Sequence, residues 1–121
     1  MSEAKPSFRT VIDLVDQITE DSWEYSDADT QYLTHNVHRY SGKFIPQIAG
    51  RAIDLLTKPG DLVLDPFCGS GTTLLESAIR GRNSIGYDLN PLAVLITQVN
   101  VTPVEPSELQ NLREMMRKAV S

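Results

Sequence analysis

The segment Asp61-Leu62-Val63-Leu64-Asp65-Pro66-Phe67-Cys68-Gly69-Ser70-Gly71-Thr72-Thr73 constrains this chain more than any other. Leu62 to Leu64 is an apolar run that ends too abruptly for a helix, and Lys58-Pro59-Gly60-Asp61 ahead of it is a turn signal. The run therefore reads as a buried strand. Gly69 and Gly71 follow, then Thr72 to Gly81, a stretch of helix formers with Arg80 in its last turn and a terminating glycine. A strand, a glycine turn and a helix in that order bring backbone close to a ligand, because glycine has no Cβ. The first N–H groups of the helix are then aimed at that ligand.

The pattern repeats in part. Asn83-Ser84-Ile85-Gly86-Tyr87-Asp88 is a second short strand ending on a carboxylate, and Leu89-Asn90-Pro91 opens another helix. Asp88 stands 19 positions after Gly69, the distance at which an acidic side chain on a second parallel strand accepts hydrogen bonds from ribose hydroxyls. The alternative for Asp88 is a strand-end cap; for Asp65 it is a brace for the turn. A nucleoside cofactor is expected. A phosphate-cradling P-loop needs a Lys followed by Ser or Thr after its second glycine, and Thr72-Thr73 stands there instead. A dinucleotide fingerprint wants a third small residue where this chain has Leu74. Pyrophosphate is therefore disfavoured.

Asp65-Pro66-Phe67-Cys68-Gly69-Ser70-Gly71-Thr72 resembles the S-adenosylmethionine (AdoMet) motif of amino-methylating DNA methyltransferases, which act on adenine N6 or cytosine N4. The resemblance implies an α/β fold, a partial Rossmann-like methyltransferase domain with preceding and following helices. It also implies that Asp65, Pro66, Phe67, Cys68, Gly69, Ser70, Gly71 and Thr72 hold the cofactor, with Asp88 on the ribose and Leu89 near the adenine ring. A carboxylate at the strand end suits a ligand carrying an ammonium and a sulfonium. His38-x-Tyr40-x-x-Lys43-Phe44-x-Pro46 resembles the segment that, in one branch of these enzymes, closes over the methionine end of AdoMet. His38, Tyr40, Lys43 and Phe44 join the expected site on that ground. Ser41-Gly42 departs from the proline and alanine usual there.

At 121 residues, 40% of them hydrophobic, the chain has material for one small domain. A net charge of −5 gives little attraction for a phosphate backbone, so any surface gripping DNA is expected elsewhere. The single cysteine, Cys68, excludes an internal disulfide and a cysteine-rich zinc site. Its place near a helix start raises the question of a reactive thiol, but no histidine is tied to it locally, and a small apolar turn residue is the expectation. His35 and His38 lack a third ligand, so they read as ordinary hydrogen-bonding histidines and no metal is expected. Without a signal peptide or an apolar run of membrane length, the expected location is the cytoplasm, away from membranes.

Elsewhere, Phe8, Val11, Ile12, Val15 and Ile18 recur at helical spacing after Pro6-Ser7 and predict an amphipathic helix over 8–20, followed by an acidic loop to Thr30. Residues 1–30 are set apart from a cofactor-binding part, 31–121. Tyr32 to Pro46 has no clean period, and Pro46 fits the first turn of a helix reaching Leu56. Pro91 to Asn100 is apolar nearly all round, a buried helix or one face of an interface. Ser107-Glu108-Leu109-Gln110 reads as a capping box opening a last helix. The resemblance also shows what is missing. These enzymes need a second motif, a polar residue before Pro-Pro-aromatic, that holds the target amino group and stacks on the flipped base. None of the seven prolines here has a proline neighbour. No catalytic residue is assigned, and two strands cannot make a stable doubly wound sheet alone. The expectation is a split enzyme whose second polypeptide carries the Pro-Pro-aromatic motif, with DNA as substrate, or else a truncated gene product. The alternatives are a noncatalytic AdoMet-binding remnant and a piece of an RNA methyltransferase.

Overall fold

The structure, a computed structural model, describes residues 8–20, 22–36 and 42–120. Helix α1 (Phe8–Glu20) is followed by a loop and a 3₁₀ turn, Leu33–Asn36. Helix α2 (Pro46–Leu56), strand β1 (Leu62–Asp65), helix α3 (Thr72–Ile79) and strand β2 (Asn83–Gly86) form the centre. Helices α4 (Pro91–Val101) and α5 (Pro106–Val120) complete the order. The strands pair in parallel, with Leu62 opposite Asn83 and Asp65 opposite Gly86. The α3 crossover joins them, a partial Rossmann-like unit.

Local chemistry explains the boundaries. Pro46 supplies a pre-set φ in the first turn of α2 and is itself buried. At the end of α3, Gly81 takes a φ of 71°; its N–H bonds Ala78 O at 3.1 Å, and Arg82 N–H bonds Ser77 O at 2.8 Å. That double closure is a Schellman motif, which a side chain with a Cβ would strain. Asn90 caps α4 by accepting from Leu92 N–H. At α5 the expected capping box is corrected. The helix starts at Pro106, and Glu105 O accepts from Glu108 and Leu109, so Ser107 is already inside the first turn. Proline's fixed φ begins the helix two residues sooner than a Ser107 cap would.

The core gathers Ala49 and Ile53 of α2, Leu74 and Leu75 of α3, and Ala93 and Ile96 of α4. α1 and the loop after it are tied on by polar contacts. Trp23 Nε1–H donates to Ile18 O at 2.8 Å, and Arg51 of α2 stacks over the Trp23 ring while donating to Ser22 O. The reading of Leu62 to Leu64 as a buried strand is corrected on one face. Leu62 and Leu64 are 62% and 61% exposed, because the helices cover only the side of Val63 and Ser84. Helix α4 behaves likewise, burying Ala93, Ile96, Thr97 and Asn100 and exposing Leu92, Leu95 and Val99.

Candidate functional site

The carboxyl ends of both strands open on a cavity of about 480 Å³. Its walls bring together Lys43, Phe44, Asp65, Phe67, Cys68, Gly69, Ser70, Thr72 and Asp88 from the expected set, with Gly42, Leu64 and Thr73 beside them. Ligands of open α/β sheets bind at this end of the strands. Pro66, Gly71 and Leu89 are not on the wall, and Leu89 is fully exposed. His38 and Tyr40 lie outside the described residues.

The glycine turn is fixed from three sides. Parallel pairing runs on past the strands, Tyr87 N–H to Asp65 O and Cys68 N–H to Tyr87 O, each at 2.9 Å. Asp88 then braces the turn, its Oδ2 accepting Gly69 N–H at 2.9 Å and its Oδ1 accepting Asn90 N–H at 2.8 Å. Asp65 Oδ1 accepts Phe67 N–H at 3.0 Å. Both strand-end carboxylates therefore have bracing roles as well as a place on the cavity wall. Each carboxylate keeps further lone pairs beyond those bonds.

The third side is α4, which the sequence reading missed. Thr97 Oγ1–H donates to Gly69 O at 2.9 Å, and Asn100 Nδ2–H donates to Ser70 O at 2.9 Å. Turning these carbonyls into the protein orients the turn's other face toward the cavity. The available signal was the pair of polar residues three apart, Thr97 and Asn100, on one face of a mostly apolar helix. Gly71 also has a packing role that the sequence reading did not include. It takes a φ of 83° as the residue before α3, and a Cβ there would stand 2.8 Å from Thr97 Cγ2. Glycine at 71 therefore admits α4 against the turn.

Phe67 is 83% exposed beside the cavity, which removes simple core packing as its role. Cys68 is buried, with Sγ 3.8 Å from Thr97 Oγ1, and burial is the main effect pushing its thiol pKa up. It is a packing residue of the turn, not an activated nucleophile. Burial holds the Lys43 ammonium below the ordinary lysine range. His35, buried, places Nε2 2.7 Å from Glu76 Oε1. Among the described residues no helix is long and apolar enough to cross a membrane.

This strand-turn-helix site has recognisable relatives. The DNA methylase family of N6 and N4 methyltransferases matches residues 10–99. The chain belongs to that family. It is 40% identical over 94 residues to the type II methyltransferase M.MjaII of Methanocaldococcus jannaschii, covering 77% of this chain and 18% of that one. Against the type II methyltransferase M.MvaI of Kocuria varians the identity is 41% over 88 residues, 70% of this chain and 19% of the relative. A tRNA (guanine(10)-N2)-dimethyltransferase of M. jannaschii is 37% identical over 68 residues, 55% of this chain and 19% of its own. Among solved structures, the cytosine-N4-specific PvuII DNA methyltransferase aligns with a TM-score of 0.53 and 25% identity, over 71% of this chain and 33% of its own. The chain spans about a fifth of the length of the curated relatives it matches.

Proposed function

We propose that this chain is the AdoMet-binding part of a site-specific DNA methyltransferase that methylates an exocyclic amino group of adenine or cytosine. The observation that carries the reading is the placement of Asp65 and Asp88 on one cavity, with the glycine turn between them. Two carboxylates attract a ligand bearing hydroxyls and positive charge and repel a pyrophosphate. AdoMet fits these residues. Asp88 has lone pairs left for ribose hydroxyls, Asp65 offers charge to the ammonium and sulfonium, and Phe67 offers an exposed apolar wall. When bound, AdoMet supplies an electrophilic methyl group on sulfur. The turn, Lys43 and Phe44 hold and orient it.

No residue of this chain is assigned to the target base. In this reading the Pro-Pro-aromatic motif and the surface that grips DNA lie outside these 121 residues, consistent with the net charge of −5 here. The likeness to a tRNA methyltransferase keeps RNA as the second substrate reading. Calorimetric titration with AdoMet, NAD and ATP tests the cofactor; tighter binding of NAD or ATP sinks the assignment. A labelled-methyl assay on DNA tests the division of labour. Transfer is expected only when the chain is co-expressed with the neighbouring reading frame. Robust methylation by the isolated chain would overturn the split-enzyme reading.

A further inference from the structure

Behind the cavity, a buried polar cluster gathers on Glu76 of α3, whose side chain is fully buried. Its Oε1 accepts the Tyr32 hydroxyl at 2.6 Å and lies 2.7 Å from His35 Nε2. Its Oε2 pairs with Arg80, which also donates to Asp54 of α2 at 2.9 Å. Gly50 of α2 lies against the same carboxylate, since a Cβ there would stand 2.8 Å from Glu76 Oε2. The Tyr32 phenol is pushed up to about 12, by burial first and then by its hydrogen bond to Glu76, which keeps it a donor.

The cluster's position in the chain is what gives it meaning. Tyr32 and His35 precede the Gly42–Phe44 wall of the cavity, and the buried Pro46 and Gly50 follow it. Glu76 stands one helical turn beyond Thr72, which lines the cavity and begins α3. One carboxylate therefore ties both flanks of that wall to the helix that carries the glycine turn. Thr34 adds a second tie, its hydroxyl donating to Asn100 O at 2.9 Å, on the residue that also holds Ser70. A buried charged cluster gains little stability over apolar residues of the same volume; what it fixes is geometry.

We propose that Tyr32, His35 and Glu76 act as a positioning clamp that sets Lys43 and Phe44 against the glycine turn, without touching the ligand. Its effect on AdoMet rests on the cofactor reading above; the clamp itself does not. The test uses the 121-residue chain carrying His35→Ala, His35→Gln or Tyr32→Phe. The first readout needs no cofactor: titration of the ¹³C-methylated Lys43 amine by NMR. In the wild type its midpoint is expected below the ordinary lysine value, because burial disfavours the ammonium. His35→Ala moves it up, and His35→Gln, which keeps an N–H donor, restores it.

The second readout is calorimetry with AdoMet and with 5′-methylthioadenosine, which lacks the amino-acid end. His35→Ala weakens AdoMet about tenfold, the loss of roughly one good polar contact, and leaves methylthioadenosine within about twofold. A lowered melting temperature with the Lys43 midpoint and the ligand ratio unmoved would overturn the clamp and leave a purely structural cluster. If wild type binds neither ligand, the cofactor reading fails and the Lys43 titration alone decides the clamp. Should His35→Ala not fold, Tyr32→Phe, which removes one donor, carries the same two readouts.

Discussion

On one face of the β1–β2 pair, Val63, Ser84 and Gly86 lie half-buried, and a Cβ at Gly86 would stand 2.9 Å from Leu74 of α3. On the other face Leu62, Leu64 and Ile85 are exposed, with Tyr87 continuing the row. The covered side is dense with polar commitments: Thr97 and Asn100 hold the turn's carbonyls, Asp88 holds its N–H, and Glu76 holds the flanks of the cavity wall. The open side has apolar side chains without cover. Parallel sheets are normally buried on both faces, and an exposed apolar row of this kind marks a surface that another element covers. The ties that fix the turn thus all come from the covered side, while the open side gives the cavity Leu64 alone of its exposed row.

The sharpest way to break that contrast is to attack the covered side at its most buried charge. Glu76→Ala strands the Tyr32 hydroxyl and the buried His35, leaves Arg80 with Asp54 as its carboxylate partner, and opens a cavity. A loss of about 3 kcal/mol or more is expected, in the range for deleting one member of a buried polar cluster. Urea unfolding measures it. A loss under about 1 kcal/mol, the level of an ordinary substitution, would mean that the cluster is not what the covered side depends on.

Gly71→Ala comes next. The φ of 83° costs an L-residue about 1–2 kcal/mol, and the clash with Thr97 adds overpacking, for about 2–4 kcal/mol in all. If the glycine instead serves ligand approach, the variant keeps its unfolding midpoint and loses only cofactor affinity. Comparing melting with AdoMet binding separates the two.

These two residues also show what the sequence could and could not give. The strand, glycine turn and helix around Asp65 to Thr73 were legible because local chemistry determines them: turn residues, periodicity and a terminating glycine. Pro46 and the end of α3 at Gly81 followed from the same local rules. Glu76 was not legible as a buried charge, since its partners Tyr32 and His35 stand 44 and 41 residues away, and nothing in α3 marks which side faces them. Thr97 and Asn100 were hidden in the same way, 28 and 30 residues from the carbonyls they hold. Leu62 and Leu64 misled for the converse reason. An apolar strand reads as buried whether or not the chain itself supplies the cover.

Asp88 both lines the cavity and braces the turn. Asp88→Ala is expected to weaken AdoMet binding by about 1.5–3 kcal/mol, the range for hydrogen bonds to a charged group. The structure sharpens this, because Asp88 also braces Gly69 and Asn90. Asp88→Asn retains one acceptor oxygen for the brace and loses the charge, so it is expected to stay folded and still bind AdoMet weakly. Normal affinity in a folded Asp88→Ala protein would make the residue a cap and nothing more.

The smallest effect on stability is expected on the open face. Leu64→Ser and Ile85→Ser change side chains that are 61% and 42% exposed, so the unfolding free energy should change by no more than about 0.5 kcal/mol, as for surface positions generally. The consequence lies in association. Exposed apolar rows and unpaired strand edges drive self-association, so the double variant should run as a smaller species in sedimentation than wild type at equal concentration. It should also fail to bind a polypeptide that supplies the remaining strands; Ile85→Ser alone, which is off the cavity wall, should leave cofactor affinity unchanged. A large loss of stability in the monomer would show that Leu64 and Ile85 are already packed. Unchanged sedimentation together with unchanged partner binding would show that this face is not where the chain associates.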